Sequence, residues 1–263
     1  MTPNDVKSRL LSVARLLLVV LYSLISVVAL GEAFVINSFD VTMDLSKDGS
    51  MQVREEIKVV FSESRRGIFR VLPVDYPTGR GAARRVHITN VDVTDGLRDL
   101  KTKITREGPN MRIRVGEESV FLQPNLEYTY VFNYKVFGMI NRFENDSDWD
   151  PHAELYWNVT GNEWEVPIGS ASATINFPQS PGGRGVRARV FAGPYGSRES
   201  LSMLKLGESS NQELALTSSL TDSKLVVNRS AVLQPFEGLT VVLDVPTELI
   251  DKPTLWQQFT FFV

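Results

Sequence analysis

Cysteine is absent from the 263 residues. Disulfides and thiolate metal sites are therefore excluded, and stability must come from packing. A cysteine-free exported domain also fits a bacterial envelope better than a eukaryotic secreted scaffold. Histidine is almost absent, with only His87 and His152. Two histidines exclude a three-histidine zinc site by count and nearly exclude one built on two, which would need both. A nucleophilic triad would need one of the pair beside an activated serine. No Gly-x-Ser-x-Gly and no glycine-rich phosphate loop before a helix is present. An excess of one charge is missing too: 28 Lys and Arg against 31 Asp and Glu leave a net charge of −3, which gives no global reason to bind nucleic acid. Helical periodicity is nearly missing, with residues 198–206 as the one weak candidate. No internal repeat is evident. With 43% hydrophobic and 22% charged residues, the chain can nonetheless bury a substantial core.

The most informative feature present is the start. Lys7, Arg9 and Arg15 precede an apolar run over 16–30, which closes on Gly31-Glu32-Ala33. A basic start, about 7–15 apolar residues and a small-x-small site describe a secretory leader. A spanning helix wants about 20 apolar residues, and extending the run back to Arg15 would bury a charge at about 2.5–3.5 kcal/mol. Residues 1–33 thus read as a cleaved signal peptide or an uncleaved N-terminal membrane anchor, an apolar helix in either case. Both place the bulk of the chain outside the cytoplasm, and the expected localisation is the cell membrane.

The rest, 34–250, reads as an exported β domain. Phe39, Val41, Met43 and Leu45 alternate with polar residues, Asp48-Gly49 supplies a turn, and Met51, Val53, Ile57, Val59 and Phe61 resume the alternation. Further short period-2 runs include 87–93, 111–115, 127–136, 171–177, 186–190, 225–228 and 239–245. Many short strands punctuated by Gly, Pro, Asn and Asp predict an all-β fold, an antiparallel β-sandwich, Ig-like or related. The alternative is two sandwiches in series, with a break at 178–185 where proline and glycine cluster. Residues 64–85 hold six arginines with Pro73, Pro77, Gly79 and Gly81, and read as a long basic loop. Residues 142–151 read as its acidic counterpart. The tail, 251–263, ends on Trp256, Phe259, Phe261 and Phe262, and reads as the start of a truncated transmembrane segment or as a last strand.

Four places carry a family resemblance. They are the hairpin with Asp48-Gly49-Ser50 and Val53-x-Glu55-x-Ile57, then Gly67-Ile68-Phe69-Arg70-x-x-Pro73, then Tyr134-x-Val136-x-Gly138, and Glu154-Leu155-Tyr156-Trp157-Asn158-Val159-x-Gly161-x-x-Trp164. Through them the chain resembles the uncharacterised bacterial membrane-protein family "domain of unknown function 2207". The resemblance implies a signal, an exported β domain and then membrane spans. It implies topology and no activity.

Three constellations are candidate sites. Trp149, Tyr156, Trp157 and Trp164 cluster with polar residues between them, as a sugar- or peptide-binding platform does, although the period-2 positions of Trp157 and Trp164 equally suit a core. Asp146, Asp148 and Asp150 have the spacing of a calcium loop but lack its glycine and its closing glutamate, so calcium is the one cofactor considered. Arg65, Arg66 and Arg70 form a basic surface for anionic lipid headgroups or envelope polymers. Arg70 lies within an apolar strand pattern, so it is expected to pair with a carboxylate. Glu55 and Glu56 point to opposite strand faces and make a poor acid pair, whereas Glu163 and Glu165 share one face. The expected function is a non-enzymatic extracytoplasmic binding or sensing domain of a bacterial membrane protein. Its expected partners are the membrane and an envelope polymer or neighbouring membrane protein, with no nucleic acid. The alternatives are an envelope polysaccharide hydrolase using acidic residues in 146–165, or a structural, adhesive domain.

Overall fold

The computed structural model describes residues 32–77, 83–144, 150–180, 185–197, 202–205, 207–212 and 216–254. The leader 1–31, the tail from 255, and Asp146, Asp148 and Trp149 lie outside the described residues.

The predicted hairpin opens the fold. β1 (Phe34–Leu45) and β2 (Met51–Phe61) pair antiparallel from Phe34↔Phe61 to Leu45↔Met51. At their turn Gly49 takes φ +74°, and the Asp48 carboxylate accepts hydrogen bonds from the Ser50 amide (2.9 Å) and hydroxyl (2.6 Å). The chain then builds outwards. β3 (Ile68–Pro73) is followed by a small hairpin, β4 (Asp75–Pro77) with β5 (Ala83–Arg85), and then by β6 (His87–Thr94). β7 (Thr102–Glu107) and β8 (Asn110–Val115) form a hairpin beside β3, and β9 (Glu127–Phe137) inserts between β2 and β6. β10 (Ile140–Phe143) and β11 (His152–Asn158) begin another sheet, and β12 (Ile168–Asn176) returns to lie against β1. β13 (Arg187–Pro194) and β14 (Ser202–Lys205) join β11's sheet. β15 (Ser209–Gln212), β16 (Leu216–Leu220) and β17 (Lys224–Arg229) extend the first sheet, and β18 (Glu237–Pro246) fits between β11 and β13.

The result is sandwich-like: an eight-stranded sheet, β15-β16-β17-β12-β1-β2-β9-β6, and a five-stranded sheet, β10-β11-β18-β13-β14. A three-stranded sheet, β3-β8-β7, stands beside them. One apolar cluster joins Phe39, Ile57 and Phe132 of the first sheet, Leu155, Val190 and Leu243 of the second, and Ile68 and Ile113 of the third. Each such side chain stabilises the fold by about 1.5–3 kcal/mol on burial.

The expected antiparallel sandwich is observed with one parallel pairing, and three other expectations are corrected. β1 and β12 run parallel from Ile36↔Ile168 to Asp44↔Asn176. Residues 178–185 do not divide two sandwiches: β13 and β14 enter the five-stranded sheet, while β16 and β17 go back to the eight-stranded one, so strands from both sides of the break share both sheets. The basic stretch 64–85 is largely strand, because Ile68, Arg70 and Leu72 line one buried face. The helix candidate at 198–206 contains β14 instead, paired with β13; Met203 is exposed and Leu204 buried, which is period 2 on a short strand.

Candidate functional site

A deeply buried charge cluster centres on Arg70. Its strand mates Ile68 and Leu72 face the core, so the alternation carries Arg70 inward with them, to 2% exposure. Glu55 reaches the same point from β2, at 0% exposure, in the inward column of Val53 and Ile57. The guanidinium grips the carboxylate with two hydrogen bonds, Nε to Oε2 and Nη2 to Oε1, both 2.8 Å. The Tyr134 hydroxyl on β9 donates to Glu55 Oε1 at 2.7 Å. Arg70 Nη1 also donates to the carbonyls of Thr160 (3.0 Å) and Val71 (3.1 Å). Its guanidinium lies 5.2 Å from the Phe39 ring centre.

Three sheets meet here: β2 and β9 of the first, β3 of the third, and the loop that leaves β11 of the second. That loop is held in turn. The Trp164 indole donates to the Thr160 carbonyl at 2.8 Å, and the Leu239 amide donates to the Thr160 hydroxyl at 3.0 Å. Gly161 has φ +81°, and a Cβ there would stand 2.8 Å from Arg70 Nη1. Burial, the largest influence, lowers the Arg70 pKa, but the charge and hydrogen bonds of Glu55 together with Tyr134 outweigh it and leave it raised. Burial, with Glu55 adding to it, pushes the Tyr134 phenol well above its ordinary value. A cluster so fully bonded and so closed to water can fasten sheets, and it offers no free group to a substrate.

The second feature is an open cleft of about 480 Å³ at the ends of β3 and β8. Its floor is a reciprocal crossing of two glycines. A Cβ on Gly67 would stand 1.9 Å from the Val115 carbonyl oxygen, and one on Gly116 would stand 1.9 Å from the Arg66 carbonyl oxygen. Their φ values, +138° and +125°, are also outside the reach of ordinary side chains. The walls carry exposed Phe69 and Phe121, each covered by a guanidinium: Arg112 lies 3.9 Å from the Phe69 ring centre, and Arg66 lies 4.5 Å from that of Phe121. Most neighbouring cations are paired, as Arg65 is with Glu63, Arg114 with Glu118 (2.9 Å) and Lys101 with Glu117 (3.8 Å). The hydrogen bond from Arg114 holds the Glu118 carboxyl below its ordinary value. Among the described residues, no carboxylate pairs with Arg66.

The predicted residues therefore separate. Arg65 and Arg66 border the cleft, while Arg70 has left the surface for the core. Trp157 and Trp164 are 5% and 6% exposed and belong to the core, so neither offers an open ring for stacking; Tyr156, on the other face of β11, is half-exposed. Asp150 is exposed, its carbonyl 3.0 Å from His152 Nδ1, and among the described residues no cluster of three metal-ligating side chains occurs. His152 stacks on Phe143, with ring centres 4.9 Å apart. Of the acidic residues proposed for hydrolysis, Glu154 pairs with Arg189 at 3.1 Å, and Glu163 and Glu165 are exposed. Glu55 was missed as Arg70's partner, although a carboxylate in the apolar column of Val53 and Ile57 was the available signal.

The geometry defines a class first: an all-β, sandwich-like domain whose sheets are fastened by a buried ion pair. The chain belongs to the family described as the N-terminal domain of a predicted membrane protein (DUF2207), which its residues 35–243 match. It is 32% identical over 165 residues to "Uncharacterized protein YciQ" of Escherichia coli strain K12, a match covering 61% of this chain and 25% of that protein. The chain thus spans about a quarter of that relative's length. Two solved structures of an M1 zinc metallopeptidase from Deinococcus radiodurans are 11% identical, cover 80% of this chain and 42% of theirs, and reach TM-scores of 0.39 and 0.38, too low to bear on fold or activity. Among the described residues no helix is long and apolar enough to cross a membrane.

Proposed function

We propose that residues 33–254 form a non-enzymatic recognition module of a membrane protein, working on the extracytoplasmic side, with the Arg66–Phe121 cleft as its binding surface. The observation that carries this reading is the cleft's position relative to the two ends of the body. The Ala33 carbonyl accepts from the Ser62 amide at 3.1 Å, beside the cleft. The Asp251 amide donates to the Lys47 carbonyl at 2.6 Å, at the β1–β2 turn. The eleven residues of β2 separate these points, about 35 Å at roughly 3.3 Å per residue.

A membrane part that follows the tail therefore starts from the turn end, and the cleft stands at the far end of the hairpin. An anchor retained before Ala33 would instead draw the cleft end to the same bilayer and lay the hairpin flat. We favour a leader that is removed, which leaves the cleft open towards the envelope. An arginine stacked on an exposed ring, without a carboxylate partner among the described residues, suits an anionic group carried on an apolar or ring-bearing polymer.

The absence of cysteine makes the test clean. Single cysteines at Ser62→Cys and Lys47→Cys should both react with an impermeant maleimide on intact spheroplasts, and the purified protein should begin near Phe34. Labelling only after lysis, or a retained N-terminus, would overturn the placement. Purified anionic envelope polymers should bind the protein, and Arg66→Glu with Phe121→Ala should weaken that binding at least tenfold; undiminished binding would remove the cleft from the reading.

A further inference from the structure

The peptide bond between Asp150 and Pro151 lies in the connection from β10 to β11. His152 is the first residue of β11, and it is fixed from two sides. It pairs with Phe143 on β10 and with Pro246 on β18, its ring stacks on the Phe143 ring, and it is 7% exposed. Its Nδ1 lies 3.0 Å from the Asp150 carbonyl oxygen. A carbonyl oxygen only accepts, so Nδ1 carries a proton and donates it there. That carbonyl is the one that joins Asp150 to Pro151.

Three features converge on this bond. The Asp150 side chain is exposed, and among the described residues no hydrogen bond or ion pair engages its carboxylate. Its oxygen reaches its own carbonyl carbon by closing a five-membered ring, and well-oriented attacks within one molecule attain effective molarities of about 10⁵–10⁸ M. Proline has no N–H, so the competing attack of the following amide nitrogen on the side chain is closed. The imidazole supplies the third feature, an N–H aimed at the oxygen where negative charge develops.

We propose that the chain cuts itself between Asp150 and Pro151, with His152 as the oxyanion donor. The Asp150 carboxylate oxygen bonds to the Asp150 carbonyl carbon, and the carbonyl π electrons move onto the oxygen held by Nδ1–H. Collapse restores the carbonyl and breaks the C–N bond. The proline nitrogen leaves with that electron pair and takes a proton from water. The hydroxide left behind opens the cyclic anhydride on Asp150, giving a side-chain and a main-chain carboxylate. One peptide bond and one water are consumed. The products are a chain ending at Asp150 and a chain beginning with the free secondary amine of Pro151. The step runs once, on the molecule's own chain, and leaves the module non-enzymatic towards its ligands.

The cut parts β1–β10 from β11–β18, yet the fold bridges it. β10 pairs with β11 from Ile140↔Leu155 to Phe143↔His152, β1 runs along β12, and one apolar cluster draws on both pieces. The Arg66 cleft goes with the first piece and the tail with the second. A cut molecule therefore keeps its shape and loses only the covalent link between them.

The test holds the purified whole chain with protease inhibitors at 37 °C, at several values between about pH 5 and pH 8, and follows it by denaturing gel and intact mass. A piece beginning at Pro151 should accumulate with first-order kinetics at a rate independent of protein concentration. Native gel filtration should still show one body. His152→Phe keeps a ring against Phe143 and removes the donor, and should slow the cut about a hundredfold. Asp150→Ala, at an exposed position, should abolish it, and keeps the test open should His152→Phe fold poorly. A parent chain that stays whole throughout overturns the proposal. So does a cut at this bond that persists in Asp150→Ala, or a folded His152→Phe protein that cuts as fast as the parent.

Discussion

Arg66 and Arg70 are four residues apart and have opposite fates. Arg70 is buried, held bidentately by Glu55 and capped by carbonyls from the loop after β11. Arg66 is exposed, lies on Phe121, and has no carboxylate partner among the described residues. Gly67, lying between them, turns the chain through a conformation only glycine takes readily and starts β3, whose alternation sends Arg70 inward with Ile68 and Leu72. A guanidinium with every hydrogen bond answered by its own chain serves the fold. One left facing a cleft has bonds to offer elsewhere.

The comparison breaks most readily at the buried end. Glu55→Ala strands a charged guanidinium in the core and should destabilise the protein by about 3–5 kcal/mol. Denaturant unfolding measures the loss. Arg70→Met together with Glu55→Leu should recover most of it, because the desolvation penalty leaves with the charges. A double variant as unstable as the single one would show that packing, rather than the unpaired charge, sets the cost.

At the boundary between the two arginines, Gly67→Ala must enter an unfavourable φ and meet the Val115 carbonyl oxygen at 1.9 Å, with no flexible atom to yield. A loss of about 2–3 kcal/mol is expected, and Gly116→Ala should match it because the crossing is reciprocal. Thermal melts followed by circular dichroism test both. If either alanine is tolerated, the cleft floor is not the rigid crossing described.

Further along the same segment, hydrogen bonds from Arg106, then Arg85, hold the Asp75 carboxyl below its ordinary value. A lowered pKa in the folded state means that this contribution is present above the unfolded value, about 3.9, and is lost as pH falls through the folded one. Asp75 is partly exposed and its arginine partners lie at the surface, so solvent screens the pairs and the effect is small. It should appear as a shallow fall in stability below about pH 4 that Asp75→Asn flattens.

Legibility followed the range of the interaction. The period-2 runs gave the strands of the hairpin, β9, β12 and β18, because alternation is written locally. They also placed Trp157 on a core face beside Val159. Arg70's need for a carboxylate was legible, but its partner comes from another sheet, and its relevant neighbours are Ile68 and Leu72, since Phe69 faces solvent. The parallel pairing of β1 with β12 joins Ile36 to Ile168, and no local pattern encodes a contact so distant in sequence. β14 failed for the opposite reason: four residues at a sheet edge are too few to show a period.

The smallest expected effect on stability makes the sharpest test of the contrast. Arg66→Glu removes one stacked surface cation and should change unfolding free energy by less than about 0.5 kcal/mol. It also places a carboxylate among Glu117 and Glu118, where an anionic ligand would be repelled. If Arg66 serves recognition, affinity for an anionic polymer collapses while the denaturation midpoint stays fixed, the reverse of the pattern expected at Arg70. A fall in stability comparable to that of Glu55→Ala would mean that both arginines belong to the scaffold, and that the cleft is a by-product of the glycine crossing beneath it.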